Sequence, residues 1–474
     1  MGRGWTPRAL VVGSGLAGLE CALELANGGW RVAVFSPGRA GCDGATHRVH
    51  ALAPWILLTA PWVRGDSPER FLADLKRRGE GFERDGLAEV LATEAHSAAR
   101  SLVENLELAP QGEPTALPGD EFARGMRCLP QAGRALLAPL MKKCKEAGVR
   151  VYGRALVVGL LADGGRVTGT VIIDRATHVS REEHSDAVVL ACGGVGAVFP
   201  ATTAPRWNRG SGLALGSAAG ALLHHPEVTQ ALPVTATPAR YFPTSAALLS
   251  SRIVASDGAS VSGSDLGAVT EAIGQALRRG AAVFMEPREG EARLLPPRIR
   301  ESAAFLAEGK VRLTLALHHG IGGVAIDSWG RTSLPGLYAC GEAAGGVQGL
   351  RRTMGTGLLE ATIFAMRAAR AACHDIARIG PAPLRGEVRM PPLALDPARL
   401  EGRLDELMGP LVALRPAAAV ESALSEIERW PVGVEACVEE KCALAGVRRL
   451  AAIAILDGER SRSGGGGNVI GLPG

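Results

Sequence analysis

Short apolar runs and stretches of helical periodicity alternate at the start of the chain. Residues 9–12 form an apolar run, residues 19–25 carry apolar side chains at helical spacing, and residues 31–36 form a second apolar run. This order predicts a strand, a helix and a second strand within about 30 residues. Such a βαβ unit is typical of a parallel sheet with helices on its faces.

The same kind of pattern predicts further elements along the chain. Helices are predicted at 66–108, 136–147 and 357–374. Strands are predicted at 149–161, 167–174, 187–192, 322–327 and 336–340. Regularity is lost between about 233 and 312, apart from one helix near 266–279, so we interpret this stretch as an insertion. A proline-rich stretch at 381–397 indicates a linker, and a mainly helical tail is predicted at 400–455.

Composition narrows the class of protein. The chain has 474 residues, of which 47% are apolar and 21% charged, and its net charge is +4, which is an ordinary globular balance. It contains no Lys/Arg-dense run, which excludes the usual footprint of a nucleic-acid-binding protein. It also contains no 18-residue run free of charges and glycine breaks, so we expect no insertion into a membrane.

Cysteine usage and the N-terminus bear on location. The nine cysteines have no repeated spacing, which favours reduced thiols and gives no sign of a metal site. The first residues lack the apolar core and small-residue cleavage site of a signal peptide. We therefore expect a cytoplasmic protein without a metal.

A glycine-rich turn joins the first predicted strand to the first helix. The six residues of this turn are Gly13, Ser14, Gly15, Leu16, Ala17 and Gly18. Glycines at this spacing permit a tight turn, close approach of the backbone to a pyrophosphate, and packing of the helix on the strand. The helix start then offers N–H groups to the phosphates. The turn predicts dinucleotide binding, with Ser36 at the end of the second strand as the ribose contact.

A second motif, near the C-terminal end of the same domain, distinguishes between dinucleotides. Residues 330–342 end in Gly341-Glu342, and 191–194 read Ala-Cys-Gly-Gly. Together with 65–69, 212–215 and the stretch from Arg352 to Glu360, these motifs resemble the succinate dehydrogenase, fumarate reductase and L-aspartate oxidase flavoprotein family. The resemblance covers nearly the whole chain, and the length is most similar to the short L-aspartate oxidases.

The resemblance implies a fold and a cofactor. We expect an α/β protein whose Rossmann-like FAD-binding domain is formed by residues 1–232 and 313–380. An α+β capping domain would be inserted at 233–312, and a short helical C-terminal region would follow at 395–474. Besides the glycine turn, the residues implied to bind FAD are Ser36, Ala45, Thr46, His47, Ala191, Gly193, Gly194, Glu342, Gly357 and Leu358.

His47 leaves an alternative open for the mode of FAD binding. It falls where the membrane-complex branch of this family has a histidine joined covalently to the flavin. The Gln-Gly-Gly that usually follows is replaced here by Leu52-Ala53-Pro54. We therefore expect FAD to be held without a covalent bond.

Two residues fall on the substrate-binding positions of the family, whose members bind small dicarboxylates. His318 matches the histidine that precedes Gly-Gly, and Arg352 matches the carboxylate-binding arginine eight residues before Glu360. A buried carboxylate needs such fixed cations and donors. We expect His318 and Arg352 to be catalytic.

Other positions depart from the family's pattern. The family's His-Pro-Thr appears as Leu232-Pro233-Val234, and its Pro-Arg-Asp appears at 265–267 with Leu266 in place of the arginine. Either Arg252, Arg298 or Arg300 substitutes for the missing cations, or the substrate differs.

Three functions follow from the resemblance. The first is the FAD-dependent oxidation of L-aspartate to iminosuccinate, as in NAD biosynthesis. The second is that of a fumarate reductase or succinate dehydrogenase flavoprotein, which needs an electron-accepting partner protein because this chain lacks iron–sulfur cysteine spacing. The third is a diverged flavoprotein without dicarboxylate chemistry, acting in electron transfer or as a structural subunit.

Overall fold

The structure is a computed structural model that covers most of the chain. It describes residues 5–52, 55–84, 86–117, 120–130, 135–237, 240–412, 416–433 and 440–463.

The strands of the described residues are numbered β1 to β21 in chain order. They are Arg8–Val12, Arg31–Phe35, Ile56–Thr59, Leu108–Pro110, Gly125–Pro130, Arg150–Tyr152, Ala155–Asp163, Arg166–Asp174, Ser180–His184, Ala187–Leu190, Leu223–His224, Thr229–Thr235, Arg252–Ala255, Val283–Glu286, Val311–Gly320, Gly323–Ala325, Leu337–Ala339, Ala344–Gly345, Glu387–Arg389, Leu393–Ala394 and Val432–Gly433.

The α-helices of the described residues are numbered α1 to α14 in the same way. They are Leu16–Asn27, Ala45–Leu52, Pro68–Gly79, Leu87–Asn105, Ala138–Glu146, Ser211–Ala219, Ser245–Ser250, Leu266–Arg278, Pro297–Arg300, Ala303–Glu308, Gly357–Ile379, Pro397–Met408, Ala417–Glu428 and Glu440–Ser463.

A five-stranded sheet forms the centre of the fold. Its strand order is β17-β10-β1-β2-β6, and every neighbouring pair is parallel. Strands β1 and β10 are almost wholly buried, as expected for a parallel sheet covered on both faces. Helix α1 packs against α11 and α5, and α11 also packs against α4. The α/β fold class with a Rossmann-like domain is confirmed, and the turns after β1, β2, β10 and β17 meet at one edge of this sheet.

Two predicted elements are each divided in the structure. The helical stretch predicted at 66–108 consists of α3 and α4, separated where Glu80 ends α3 in a left-handed conformation, with φ of 53°. The strand predicted at 149–161 consists of β6, in the parallel sheet, and β7, in a second sheet of order β19-β7-β8-β9. Arg154, with φ of 57°, lies at that break.

The inserted segment forms a cap over the edge of the parallel sheet. Four antiparallel strands in the order β12-β15-β14-β13 make its sheet, and α8 packs against it. The predicted domain limits at 232/233 and 312/313 fall within β12 and β15, so both strands belong partly to each predicted domain. The division into three domains stays a prediction.

The C-terminal region packs against the cap and the FAD-binding part. Helix α14 contacts α6, α12 and α13, and the buried Arg448 on α14 donates a 2.9 Å hydrogen bond to the carbonyl of Val198. The stretch predicted as a linker at 381–397 is not free, because β19 pairs with β7 and β20 with β21. The prediction of a linker is therefore wrong for these residues.

Membrane-spanning helices and clusters of metal ligands are both absent from the described residues. Among the described residues, no helix combines the length and apolarity that crossing a membrane requires. The same residues contain no group of three or more His, Cys, Asp and Glu side chains arranged to hold a metal ion.

Candidate active site

A cavity of about 620 Å³ lies between the edge of the parallel sheet and the cap. Its walls come from the turn after β1, the ends of β2 and β10, the cap strands β12 and β15, and the start of α11. A volume of roughly 300–1,000 Å³ is typical of sites for small molecules and cofactors.

The glycine turn lines one end of the cavity through residues 13–17. Gly13 has φ of +115°, and a Cβ added there would lie 2.2 Å from the carbonyl oxygen of Ala191. A Cβ at Gly18 would lie 2.0 Å from the carbonyl oxygen of Gly13. Gly18 therefore packs the helix onto the strand, and it does not line the cavity.

The start of α1 is open to the cavity at Gly15. A Cβ added at Gly15 would have the Thr46 hydroxyl oxygen, 3.6 Å away, as its nearest contact. No side chain caps α1 at Gly15, and the N–H of Leu16 donates a 3.3 Å hydrogen bond to the same hydroxyl. N–H groups at a helix start favour a phosphate. This end of the cavity fits the pyrophosphate of FAD.

The end of β2 supplies the predicted ribose contact. Ser36 is buried and lines the cavity. Ser14 lines it as well, and its hydroxyl accepts a 3.0 Å hydrogen bond from the N–H of Gly41. Asp43 adds a carboxylate that sequence analysis missed, because it lies in the loop beyond β2 and not at the end of the strand.

The loop and helix at 45–47 lie only partly against the cavity. Ala45 and Thr46 line it, whereas His47 does not. His47 lies between two lining residues, Thr46 and Arg48, without lining the cavity itself. Non-covalent binding of FAD stays a prediction, and this placement favours it.

Residues after β10 pack against a carboxylate from the loop after β17. Ala191, Gly193 and Glu342 line the cavity. Gly194 does not, and a Cβ there would lie 2.1 Å from Glu342 Oε1. Gly194 therefore gives Glu342 room, and its predicted contact with FAD has no counterpart in the cavity lining.

Glu342 lies between the cofactor end of the cavity and the cap. Its Oε1 accepts a 2.9 Å hydrogen bond from the N–H of Gly320, and Asn208 donates to Oε2 at 3.4 Å. Burial raises the pKa of Glu342 to about 7, against the opposing effects of the Gly320 N–H and the Arg352 charge. The carboxyl group therefore exchanges its proton near neutral pH.

Arg352 lies at the inner end of the cavity, where α11 begins. It is 8% exposed and lines the cavity together with Gly357 and Leu358. Its Nε donates a 3.3 Å hydrogen bond to Gln230 Oε1, and Gln230 Nε2 donates back to the Arg352 carbonyl at 3.4 Å. A Cβ at Gly357 would lie 3.1 Å from Nη1 of Arg352. The glycine and the glutamine together fix the guanidinium.

The loop that carries Arg352 is held from behind. Arg78 on α3 donates a 3.1 Å hydrogen bond to the hydroxyl of Thr353 and forms a buried ion pair with Asp120. The adjacent Arg351 instead forms an exposed pair with Glu80. The buried pair restricts the loop next to the guanidinium.

Two neighbouring histidines at the end of β15 line the cavity. Thr203 Oγ1 and His318 Nδ1 are 2.9 Å apart, and His319 Nδ1 lies 3.4 Å from Glu342 Oε1. Burial and the charge of Arg352 lower the pKa of His318 to about 3, and they also lower that of His319. Both imidazoles are therefore neutral at pH 7. Sequence analysis selected His318 alone, although the His-His pair was a visible signal for both.

The predicted substitutes for missing cations are not in the site. Arg252 pairs with Glu286 on an exposed surface, the Arg298 guanidinium stacks over the Tyr241 ring, and Arg300 is paired with its neighbour. None of the three arginines lines the cavity. The hypothesis that one of them replaces a substrate-binding cation is therefore wrong.

Comparison with known proteins then identifies the family. The family described as FAD binding domain matches residues 8–358, which is most of the chain. The protein belongs to this family of flavoproteins. It is an FAD-binding oxidoreductase, and the predicted cofactor and family are confirmed.

Individual relatives sharpen this assignment. An L-aspartate oxidase from Caulobacter vibrioides is 30% identical over 90% of this chain and 86% of that protein. Another, from Streptomyces coelicolor, is 32% identical over 80% of this chain and 72% of that protein. Among solved structures, the quinol fumarate reductase of E. coli superposes with a TM-score of 0.79 over 97% of this chain and 89% of that chain. Its identity is 16%, so it supports the fold alone.

Proposed function

We propose that this flavoprotein oxidises L-aspartate, or an amino acid of the same shape, to the corresponding imino acid. The relatives named as L-aspartate oxidases suggest the reaction type. The observation that carries the proposal is that Arg352, His318 and His319 line the same cavity as the glycine turn. A substrate bound there would lie between these side chains and the cofactor.

Arg352 would hold the substrate's carboxylate. Gln230 accepts from Nε, which leaves the two terminal nitrogens for a ligand. A guanidinium can grip both oxygens of a carboxylate and stays charged at any relevant pH. The bound end of the substrate is therefore an acid.

The neutral imidazoles of His318 and His319 would each offer a ring nitrogen to the same end of the substrate. Thr203 and Glu342 hold their Nδ1 atoms, which leaves the other ring nitrogens for other partners. The contacts at Nδ1 set the orientation of each ring, and a ring whose Nδ1–H donates to Thr203 or Glu342 presents its other nitrogen as an acceptor. These side chains thus orient the substrate.

FAD, when bound, supplies a two-electron acceptor for a hydride. The reduced cofactor must then be reoxidised by oxygen or by an electron-accepting partner protein. We also propose a cytoplasmic location, which the eight free cysteines among the described residues support.

The test is anaerobic bleaching of the flavin absorbance by candidate substrates. L-aspartate, L-asparagine, L-leucine, D-aspartate and succinate are mixed separately with the FAD-loaded protein. Bleaching by an L-amino acid and not by D-aspartate supports the proposal. Bleaching by succinate alone assigns the protein to the succinate dehydrogenase type, and no bleaching by any of the five leaves the non-catalytic flavoprotein.

A further inference from the structure

The cap contributes an apolar wall to the cavity. Leu232, Phe242 and Leu266 belong to the hydrophobic cluster of the cap, are each less than 10% exposed, and line the cavity. Met354, in the loop before α11, packs against the same cluster and also lines the cavity. Leu232 follows Gln230 by two residues on β12, and both side chains line the cavity. The apolar wall therefore begins next to the residue that holds the arginine.

Cations are scarce at this wall. Among the described residues, the arginines and lysines that line the cavity are Arg48, Arg127 and Arg352. Arg48 is exposed on α2, at the end near the glycine turn, and Arg127 is exposed with its guanidinium 4.7 Å from the Trp55 ring centroid. Arg352 is thus the buried cation of the site.

Among the described residues, the charged side chain that the cap adds to the cavity lining is a carboxylate. Asp265 lines the cavity and caps α8, where its side chain accepts a 2.9 Å hydrogen bond from the N–H of Ala268. A carboxylate of the substrate that approached this wall would meet Asp265, three apolar side chains, and the hydroxyl groups of Thr244 and Ser245, which already donate to the Leu294 carbonyl and to Met354 Sδ. The charge on the wall therefore opposes a second substrate carboxylate.

The energy of transfer from water decides which group fits here. A carboxylate leaving water without a paired cation is strongly disfavoured. An aliphatic group gains about 25 cal/mol for each Å² that it buries. The isopropyl end of L-leucine has the same branched shape as the carboxylate end of L-aspartate, so shape alone does not separate them.

We propose that the end of the substrate remote from Arg352 is an uncharged aliphatic group, seated against Leu232, Phe242, Leu266 and Met354. The preferred substrates are then α-amino acids with aliphatic side chains, of which L-leucine is the reference. This inference rests on the proposed oxidation: the α carbon loses a hydride, the amine loses a proton, a carbon–nitrogen double bond forms, and FAD is the oxidant. It concerns only the side-chain end of the substrate.

Binding of analogues without an amine tests the wall apart from catalysis. 4-Methylpentanoate is L-leucine without its amine, and succinate is L-aspartate without its amine. Isothermal titration of the FAD-loaded protein with each should give a dissociation constant at least tenfold lower for 4-methylpentanoate. Equal or tighter binding of succinate overturns the inference.

Turnover of three amino acids of one shape gives a second test. L-leucine, L-asparagine and L-aspartate share the branched end and differ in its polarity and charge. We expect kcat/KM to fall in that order, with at least about a thirtyfold difference between the first and the last. A preference for L-aspartate, or for L-lysine through Asp265, overturns the inference.

A pair of leucine variants separates contact with the ligand from stability of the cap. Leu266→Ala removes atoms from the cavity wall, and Leu248→Ala removes the same atoms from the cap cluster at a buried position that does not line the cavity. Leu266→Ala should raise the dissociation constant of 4-methylpentanoate at least fivefold and leave that of succinate unchanged. Leu248→Ala should leave the ratio of the two constants unchanged, and an equal change in both variants contradicts the inference.

The outcomes also separate this inference from the proposed reaction. If no amino acid reduces the flavin while 4-methylpentanoate still binds more tightly than succinate, the proposed reaction fails and the assignment of the wall stands. If L-aspartate reduces the flavin fastest, the reaction stands and the assignment of the wall fails.

Discussion

The two ends of the cavity are built from different parts of the chain. At the cofactor end, Gly13 and Gly15 line the cavity with backbone, and added side chains at Gly13 and Gly18 would collide with carbonyl oxygens at 2.2 and 2.0 Å. At the cap end, Leu232 and Leu266 present side chains from a strand and a helix far apart in sequence. A backbone site needs glycine at fixed spacing, whereas a side-chain site can change its chemistry one residue at a time.

This difference explains why the cofactor follows from the family and the substrate does not. A side chain added at Gly13, Gly15 or Gly18 interferes with the fold or with the phosphates, so these three positions admit few alternatives. The cap wall tolerates exchange of one apolar side chain for another of similar volume at about 1.5 kcal/mol or less.

The largest effect is expected for Gly15→Val. A side chain at this position points into the open space where the pyrophosphate would approach, and it clashes with nothing else nearby. The variant should fold and yet bind FAD at least about a hundredfold more weakly, measured by flavin fluorescence and circular dichroism. Gly402→Val on α12, where an added Cβ has no neighbouring atom within 4 Å, is the control and should keep FAD. Unchanged FAD affinity in Gly15→Val would place the phosphates elsewhere.

Arg352→Leu should impair turnover of the substrate and leave FAD binding intact, which is the reverse of the effect expected for Gly15→Val. Loss of one partner of a buried ion pair costs on the order of 3–5 kcal/mol, which predicts at least about a hundredfold lower kcat/KM. FAD content should stay at one per chain. Arg352→Lys should recover little, because a point charge does not reproduce the fork of the guanidinium. Normal turnover by Arg352→Leu, assayed with whichever substrate bleaches the flavin, would remove this residue from the site.

Glu342 lies between the cofactor end and the cap, and its ionisation should change the free energy of unfolding. Its pKa is about 7 in the folded protein and near 4.5 when unfolded, so its contribution is present below pH 4.5 and is lost as the pH rises through 7. The loss is on the order of 3 kcal/mol. Urea unfolding of the apoprotein at pH 5 and pH 8 should show a smaller fall in Glu342→Gln than in the wild type. Glu308→Gln, an exposed position, should behave as the wild type.

The smallest effect is expected for His47→Ala. Because His47 does not line the cavity, FAD should be released by acid from both the wild type and the variant. Mass spectrometry of the denatured chain gives the mass with or without the cofactor. If the denatured wild-type chain were heavier by the mass of one FAD, and His47→Ala lacked this increase, the cofactor would be covalently bound to His47.

Local order explains which parts of the fold could be predicted. The βαβ unit at 8–35 follows from apolar runs and glycines within one short window, and the structure has β1, α1 and β2 there. The break between β6 and β7 was missed, because Gly153 and Arg154 interrupt an apolar run that otherwise continues. The two halves join different sheets, and only tertiary contacts decide that.

In the site, too, the features that depend on tertiary contacts could not be predicted from the sequence. Arg352 and His318 were selected from motifs, and the structure brings both to one cavity, although their roles stay predictions. Thr203 and Asn208 carry no motif, since their hydrogen bonds to His318 and Glu342 join residues more than 100 positions apart. The apolar nature of the wall was visible only as two departures from a pattern.

The packing of α14 against α6, α12 and α13 has a consequence for synthesis on the ribosome. The parallel sheet is complete in sequence at Ala339, whereas the cap cluster includes Ile455 and Leu456. At about 5–20 residues per second, the second point is reached on the order of 10 s after the first. For that time the nascent chain therefore holds every strand of the parallel sheet and of the cap, while α6 still lacks its partner α14.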